Sequence, residues 1–326
     1  MPTRVRNAIL AFLFVILLAC PLVFRDEYVR FVLNNVAVNI ILVMALNFIL
    51  GFTGQVFLGT VAFFAVGCYS SALLTTKLGL TFWQAVPPTI LITAALAFLL
   101  GLPTLKVKGF YLALMSTGFI VVVGDVLKNW SSLTNGVWGV SGIPRPELFG
   151  RVIETNVGFY YFSIALAAIL AVLAILVEDS RFGRAFKVVR DDELAGEVVG
   201  IDSLRIKLLA FVMCGVYTGI AGSLFSSFQQ FVSPEIYTFD YNSLFMCMLV
   251  VGGLGSVPGS VLGASLLTGL TELLRFMREK YLTLYAIIIL VILIYQPGGL
   301  VALLGQAFAG IGGRRLAKAE QARKAR

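Results

Sequence analysis

Histidine is missing from all 326 residues of this sequence. Histidine is the commonest metal ligand and the usual general base near neutral pH, so its absence removes the Ser-His and Cys-His arrangements of nucleophilic enzymes. The sequence also lacks G-x-x-x-x-G-K-[ST], the loop that cradles ATP phosphates. We therefore expect no catalytic site, no metal site and no cofactor bound by this chain, and any ATP hydrolysis must occur on a partner.

Cysteine and charge are also scarce. The four cysteines, Cys20, Cys68, Cys214 and Cys247, lie far apart in apolar stretches without a C-x-x-C pair, which predicts neither disulfides nor zinc binding. Only 13% of the residues are charged, whereas 59% are hydrophobic. A mean hydropathy of +0.94 predicts a polytopic membrane protein. Cys20 ends a loose lipoprotein-like box, but the run before it is long enough to span, so we expect it to be retained.

Apolar stretches of about 16 to 24 residues predict about ten membrane-spanning helices. The predicted spans are Ala8–Phe24, Phe31–Leu50, Thr60–Thr76, Trp83–Leu102, Gly109–Leu127, Phe159–Val177, Leu208–Phe231, Tyr241–Leu254, Val261–Phe276 and Leu282–Leu304. The eighth and ninth are short and broken by glycine. A total of eight spans therefore stays open for the region 241–282.

Basic residues predict the orientation of these spans. They concentrate at the N-terminus, in the segment 178–207 and in the tail 305–326, and such regions remain cytoplasmic. Even numbers of spans separate the three regions, so both termini are predicted to be cytoplasmic and the polar loop 129–158 external. The net charge of +8 then reflects topology and attraction to membrane lipid, not nucleic-acid binding.

The segment 178–207 is a charged island between two apolar runs. The chain has 25 basic and 17 acidic residues, and 13 of these 42 lie here. Apolar and basic residues recur on different faces of a predicted helix. The apolar set is Phe182, Phe186 and Val189, and the basic set is Arg184, Lys187 and Arg190. We predict two or three short amphipathic helices that dock on a partner; a solvated loop on the lipid headgroups is the alternative.

The second half of the island has its own start and stop signals. Asp191 and Asp192 are predicted N-capping residues, because carboxylates accept the free N–H groups at a helix start. The short helix after them carries four apolar residues on one side, Leu194, Ala195, Val198 and Val199. Gly200 is the predicted stop, and a new helix is predicted to begin near Ser203.

Two glycine-rich interruptions occur, one in each half of the chain: GFTGQVFLG at 51–59 and GGLGSVPG at 252–259. Broken membrane helices can line a solute path, because their backbone groups are free to bind. The candidate pathway residues are Asn47, Thr53, Gln55, Gly252, Gly253 and Gly255. The alternative is that these glycines only permit tight turns between helices.

Five stretches together resemble one known family. They are ALNFILGFTGQVFLGTVAFFAVGCY from Ala45, LKVKGFYLALMSTGF from Leu105, RDDELAGEVVGIDSLRIKLLAF from Arg190, FVSPEIYTF from Phe231 and GGLGSVPGSVLGA from Gly252. From about Asn34 to Leu304, the chain resembles the M-type permease subunits of the Liv family. These subunits belong to ATP-binding cassette importers that carry branched-chain amino acids. The resemblance implies a single all-α permease domain over residues 1–326, with about ten helices in a type II importer-like fold.

The resemblance also implies a role and partners. The island is similar to the EAA-type coupling loop, with Glu193, Ala195 and Gly200 on motif positions beside Arg190, Asp191 and Asp192, and such a loop docks on an ATP-binding subunit. The implied complex lies in a bacterial inner membrane. It contains a second homologous permease subunit, two cytosolic subunits that bind ATP and Mg²⁺, and an external solute-binding protein.

Two positions depart from the family pattern and leave the solute open. Thr60 stands where a histidine often follows Leu-Gly, and the segment 120–124 is apolar where an acidic and a basic residue often occur. Relatives also carry other amino acids, urea or short amides. Two further alternatives are a carrier without an ATPase and a membrane-embedded enzyme that uses the loop 129–158, although this loop offers only Glu147 and Glu154 as acids.

Overall fold

A computed structural model describes residues 3–23, 26–104, 107, 109–148, 151–274, 281–296 and 298–304. The predicted basic tail 305–326 lies outside the described residues. The helices are α1 Thr3–Val23, α2 Glu27–Leu46, α3 Thr60–Thr76, α4 Phe82–Thr104, α5 Phe110–Asn129, α6 Ser131–Thr134, α7 Asn156–Asp179, α8 Arg181–Asp191, α9 Glu193–Val198, α10 Ser203–Gln229, α11 Phe239–Gly252, α12 Val257–Leu274 and α13 Tyr281–Tyr295.

Each of the ten predicted spans overlaps a helix of at least 14 residues. Among the described residues, six helices are long and apolar enough to cross a membrane by length and composition alone: α2 with its continuation to Phe52, α4, α5, α7, α10 and α12. The helices α3 and α11 are apolar but shorter. The predicted helix start near Ser203 is confirmed, because α10 begins at Ser203 and continues without a break into the seventh predicted span.

Contacts between helix ends show that these helices run back and forth between two ends of the molecule. At one end, which we call the Arg190 end, Arg6 of α1 meets Asp179 of α7. At the opposite end, which we call the Trp83 end, the Trp83 indole N–H donates to the Glu147 carbonyl at 2.6 Å.

The helix α12 runs from one end to the other. Gly255, just before α12, bonds to Asn47 near the Arg190 end of α2, whereas Glu272 near the end of α12 bonds to Tyr28 at the start of α2. The helix α12 therefore runs antiparallel to α2 over nearly its whole length. The described part of the region 241–282 thus contains two helices, α11 and α12, where the count of ten predicts two spans.

The centre of the molecule is built around α2 and α10. Across the most apolar part of α2, 89% of the residues are buried. The G-x-x-x-G pair Gly215 and Gly219 lets α10 approach α4 closely, since a Cβ on Gly215 would lie 2.7 Å from the Thr93 carbonyl oxygen. In contrast, α4 and α5 expose many large apolar side chains, such as Leu91 and Val121, as helices in contact with lipid do.

The loop 129–158 forms a small cap over the Trp83 end. Strand β1 Val140–Ser141 pairs antiparallel with β4 Phe231–Val232, and β2 Glu147–Leu148 pairs antiparallel with β3 Arg151–Val152. The three tryptophans, Trp83, Trp130 and Trp138, are exposed in or beside this cap. Aromatic residues grouped in this way are typical of a membrane interface.

Candidate functional site: the coupling segment and the helix breaks

The charged island, residues 178–207, lies at the Arg190 end; we call it the coupling segment after its predicted role, and α8 is the first helix that lies wholly within it. Ser180 caps α8, because its hydroxyl accepts hydrogen bonds from the backbone N–H groups of Phe182 and Gly183. The predicted apolar face is confirmed for Phe186 and Val189, which are buried, while Phe182 remains 42% exposed. The Phe186 ring stacks on Phe52 with centroids 6.3 Å apart. The segment is therefore packed against the end of α2 and is not a free loop.

A single residue, Asp192, separates α8 from α9. Its carboxylate accepts from the N–H groups of Leu194 at 2.9 Å and Ala195 at 3.1 Å, which confirms it as an N-cap. The prediction was wrong for Asp191, which is the last residue of α8 and bonds to its neighbour Arg190 at 3.2 Å. Two adjacent aspartates cannot both occupy the one capping position, and sequence alone does not decide between them.

Gly200 ends α9 as predicted. Its φ of +84° lies in the left-handed region that favours glycine. Its N–H bonds to the Glu197 carbonyl at 3.0 Å, and the N–H of Ile201 bonds to the Gly196 carbonyl at 3.0 Å. These two bonds form a Schellman motif, which satisfies carbonyls at the helix end. The short helix α9 is thus fixed at both of its ends.

The apolar side of α9 faces outward. Leu194, Val198 and Val199 are 71%, 87% and 71% exposed, and Ala195 is also exposed. The inward-facing residue is Gly196, which is buried and packs near Val188. Three large apolar side chains exposed together on a well-capped helix are typical of a docking surface.

A buried ion pair attaches α9 to α10. The Lys207 ammonium lies 2.6 Å from the Glu193 carboxylate, and their side chains are only 9% and 19% exposed. The Ser203 hydroxyl adds a bond of 3.4 Å to the backbone carbonyl of Glu193. Sequence reasoning placed Lys207 only as a basic residue at the edge of a span, since nothing local indicates its partner.

Both predicted helix breaks are present. The helix α2 continues as a π-helix, Asn47–Phe52, and residues 54–59 are then non-helical up to α3. Short π-helical segments are frequent at functional sites. The second break covers only residues 253–256, shorter than predicted, because Gly259 already belongs to α12.

The two breaks touch each other. The side-chain oxygen of Asn47 accepts from the Gly255 N–H at 2.9 Å. A Cβ placed on Gly51 would lie 2.6 Å from the same nitrogen, so only glycine permits this approach. The structure therefore brings together two predicted pathway residues that are 208 positions apart. It also shows that the backbone N–H of Gly255 is already bonded here.

Arg190 connects the coupling segment to both breaks. Its guanidinium donates to the Gly51 carbonyl at 3.2 Å. A Cβ on Gly255 would lie 3.0 Å from the same guanidinium nitrogen, and one on Gly54 would lie 2.8 Å from the Arg190 Cγ. The coupling residues and the pathway residues, predicted as separate sets, thus meet at this side chain.

A polar cleft of about 280 Å³ lies where the two sets meet. From the predicted residues it gathers Thr53, Gln55, Arg190, Asp191, Asp192 and Glu193. The Thr53 hydroxyl is bonded back to the Ile49 carbonyl at 2.6 Å, which leaves Gln55 as the half-buried amide of the cleft.

Two predicted pathway residues lie apart from this cleft. Gly252 and Gly253 pack at the junction of α11 with its neighbours. A Cβ on Gly252 would meet the Gly259 carbonyl at 2.0 Å, and one on Gly253 would meet the Val301 side chain at 2.7 Å. At both positions, the interpretation that the glycine only permits a tight turn between helices fits better than contact with the solute.

A second ionic contact at the Arg190 end was not predicted. The Arg6 guanidinium forms two hydrogen bonds with Asp179, of 2.8 and 2.5 Å, and lies 3.5 Å from Glu178. The Arg6 side chain is only 8% exposed. It holds the start of α1 against the junction of α7 and α8. A contact across 173 positions leaves no local signal in the sequence.

The comparison with known protein families shows to which family the chain belongs. Residues 28–295 match the family described as branched-chain amino acid transport system / permease component. The chain belongs to this family. The resemblance stated above, to the M-type permease subunits of the Liv family, is thereby confirmed, and the helices of the structure confirm the expected all-α polytopic fold.

Similar proteins come from several permease groups. This chain is 35% identical to the high-affinity branched-chain amino acid transport system permease protein LivM of Salmonella typhimurium over 286 residues. The matched region covers 81% of this chain and 67% of LivM. The chain is 31% identical over 171 residues to LivH of Escherichia coli K12, covering 51% and 53%. It is 29% identical over 153 residues to the autoinducer 2 import system permease protein LsrC of Yersinia pseudotuberculosis, covering 45% and 42%. No solved structure matches the permease.

Proposed function

We propose that this permease is the membrane-spanning subunit of an importer that carries branched-chain, hydrophobic amino acids across a bacterial inner membrane, driven by ATP hydrolysis on partner subunits. The family and the similarity to LivM support the transport role. One observation carries the coupling to a motor: the outward apolar face of α9, formed by Leu194, Val198 and Val199 on a helix that is capped at both ends.

A cytosolic ATP-binding subunit covers this face in our proposal. Association buries the three side chains and removes their apolar surface from water. Each Å² of apolar surface buried contributes about 25 cal/mol of favourable free energy. The helix is already ordered by Asp192 and Gly200, so docking costs little conformational entropy. ATP and Mg²⁺ bind on the partner, while this chain binds neither.

Movement passes from α9 to the membrane along two connections. One is the ion pair between Glu193 and Lys207, which ties α9 to the start of the long, buried helix α10. The other is Arg190, which contacts Gly51 at the end of α2 and lies beside Gly255. A rigid displacement of α8 and α9 then shifts both helix breaks together, which is what alternating access requires.

The remaining partners are those that the family resemblance implies, and the orientation decides only on which side of the membrane we place them. We place the Arg190 end and both termini in the cytoplasm, because the basic residues concentrate there, and the Trp83 end outside. A second homologous permease completes the pore, and a solute-binding protein delivers the amino acid to the cap over the Trp83 end. Two ATP-binding subunits serve the two permeases.

The experiment that tests this function uses the tagged permease in its native host. We expect P-loop ATPases to co-purify with the unchanged protein and to be lost from the Val198→Glu variant, because a carboxylate in the apolar contact would be desolvated without a partner. Val137→Glu is the matched control, since Val137 is 58% exposed at the opposite end. Uptake of labelled leucine, isoleucine and valine should be lost together with the ATPases in the Val198→Glu variant, while Val137→Glu, which lies in the cap proposed to receive the amino acid, is the control for ATPase recovery alone. Equal ATPase recovery from Val198→Glu and the unchanged protein contradicts the docking proposal.

A further inference from the structure

The start of α3 is enclosed inside the protein. Its first residue, Thr60, is 0% exposed, and the preceding Gly59 offers no side chain to cap the helix. The first N–H groups of a helix carry a partial positive charge, which water normally surrounds or a side chain neutralises. With 17 residues, α3 begins where the first break ends and leads toward the Trp83 end. The N–H of Ala62 already donates to the Gly59 carbonyl at 3.1 Å, but the dipole of the helix still favours a negatively charged group at this buried start.

Asn242 of α11 faces this helix start. Its side-chain oxygen accepts from the N–H of Val61 at 3.3 Å, which fixes the orientation of the amide. The side-chain nitrogen of Asn242 has no hydrogen-bond partner within the described part of the chain, although the residue is 0% exposed. If the amide were flipped, its NH₂ would face the Val61 N–H, a donor against a donor, so the assignment is chemically determined.

The Thr60 hydroxyl is a second buried donor at the same place. Among the described residues it has no oxygen or nitrogen partner, and its one hydrogen-bonding neighbour is the Cys214 thiol, which is a weak partner. A buried polar group without a partner destabilises the fold, because it has lost its hydrogen bonds to water and gained none in return. The unpaired side-chain nitrogen of Asn242 and the weakly bonded hydroxyl of Thr60 lie together beside one helix start, where they bring little structural gain, and this points to a use in binding.

The surroundings also suit a hydrophobic amino acid. Tyr241, next to Asn242, packs against Phe245 and Phe64 with ring centroids 4.8 and 6.4 Å away. Aromatic rings give an apolar wall for a branched side chain. The donors themselves are neutral, so a carboxylate is held weakly enough to be released, as a transport site requires.

We propose that Thr60, Asn242 and the N-terminus of α3 form a subsite that binds the carboxylate of the transported amino acid while the spans reorient. This inference rests on the proposed import function and names the residues that hold the solute inside the membrane. The subsite is enclosed in this structure, so it opens only during the transport cycle. A buried water molecule is the competing occupant of such a place.

The test uses two isosteric variants and one that keeps the hydroxyl, in a host deleted for the native copy of this chain. Thr60→Val removes the hydroxyl, Asn242→Asp replaces the free donor by an acceptor that repels a carboxylate, and Thr60→Ser keeps the hydroxyl. Thr89→Val is the matched control, because Thr89 is also 0% exposed and its hydroxyl also lacks a partner in the described residues. Uptake of labelled L-leucine and ATPase activity of the purified complex are measured for each.

We expect Thr60→Val and Asn242→Asp to lower leucine uptake about tenfold, the effect of one hydrogen bond to a charged group, while the purified complex still hydrolyses ATP. Thr60→Ser and Thr89→Val should retain uptake. If Thr60→Val transports as well as Thr89→Val, the groups hold water only and the inference is overturned; should Asn242→Asp not reach the membrane, the Thr60 pair decides alone. If the unchanged protein gives neither leucine uptake nor a co-purified ATPase, the proposed function fails instead.

Discussion

Arg190 and Gly51 are 139 positions apart in the sequence, yet the Arg190 guanidinium donates a hydrogen bond of 3.2 Å to the Gly51 carbonyl. Gly51 belongs to the π-helical end of α2, while Arg190 is the penultimate residue of α8. The same guanidinium bonds through Nε to Asp191. One side chain thus links the coupling segment to the interrupted end of a central helix.

Replacing Arg190 by lysine should uncouple transport. A single ammonium cannot bond to Asp191 and to the Gly51 carbonyl in the same fork geometry. We expect leucine uptake to fall about tenfold, the effect of about 1.4 kcal/mol at 25 °C, while ATPases still co-purify because α9 is unchanged. Arg181→Lys is the control, since Arg181 is exposed and contacts the Phe182 ring. Loss of ATPase recovery in Arg190→Lys would show that the residue serves docking and not transmission.

Gly200 should tolerate asparagine but not valine. A Cβ there meets nothing within 4 Å, so any cost comes from the φ of +84° alone. Left-handed backbone costs a residue with a Cβ roughly 1 to 2 kcal/mol, more for a β-branched residue and less for asparagine. We therefore expect Gly200→Val to reduce uptake and ATPase recovery together and Gly200→Asn to reduce them only slightly.

The matched control for Gly200→Val is Gly118→Val. Gly118 lies within α5 and is exposed, and a Cβ added to it would also have no atom within 4 Å, but its φ is ordinary. This substitution should leave uptake nearly unchanged. Equal uptake by both valine variants would mean that the end of α9 plays no part in coupling.

The ion pair between Glu193 and Lys207 should stabilise the fold as well as join α9 to α10. Removing one charge leaves the other nearly buried, so we expect Lys207→Met to cost about 2 kcal/mol of unfolding free energy. Glu193→Gln combined with Lys207→Met should cost less than the sum of the two single changes, because the charges are then removed together. Thermal unfolding in detergent measures all four proteins, and strictly additive losses would contradict a direct pairing.

Arg6 should contribute more to the stability of the fold than an exposed arginine with a similar partner. Its side chain is 8% exposed and clamps α1 to Asp179. Arg205 pairs with Asp202 at 2.7 Å, but its side chain is 87% exposed. We expect Arg6→Met to lower the unfolding free energy by about 2 kcal/mol and Arg205→Met by less than about 0.5 kcal/mol. Similar thermal shifts for the two variants would refute the clamp.

Local patterns in the sequence were sufficient to predict the helices and both ends of α9. The run of apolar residues predicts each span, the carboxylate of Asp192 predicts a cap, and Gly200 predicts a stop, because each of these effects acts within one helical turn. The island's buried face was likewise visible in the spacing of Phe186 and Val189. The choice between the neighbouring aspartates was misjudged, and Phe182 of the predicted apolar face is exposed.

Long-range contacts could not be predicted in the same way. The bond from Arg190 to Gly51 and that from Gly255 to Asn47 join residues that only packing brings together. Asn242 was not singled out at all, because an asparagine in an apolar helix carries no signal until its neighbours are known. Thr60 was noted for its departure from the family pattern, but not for its position at a buried helix start.

Docking of α9 on a motor subunit can be tested by placing a photo-crosslinking amino acid at position 198 and identifying its partner in native membranes. Val198 is 87% exposed on the apolar face of α9, and position 137 at the opposite end serves as the control. We expect position 198 to crosslink to a P-loop ATP-binding subunit and position 137 not to do so. Crosslinks from position 198 to lipid alone, with no ATP-binding subunit recovered, would contradict the docking of α9.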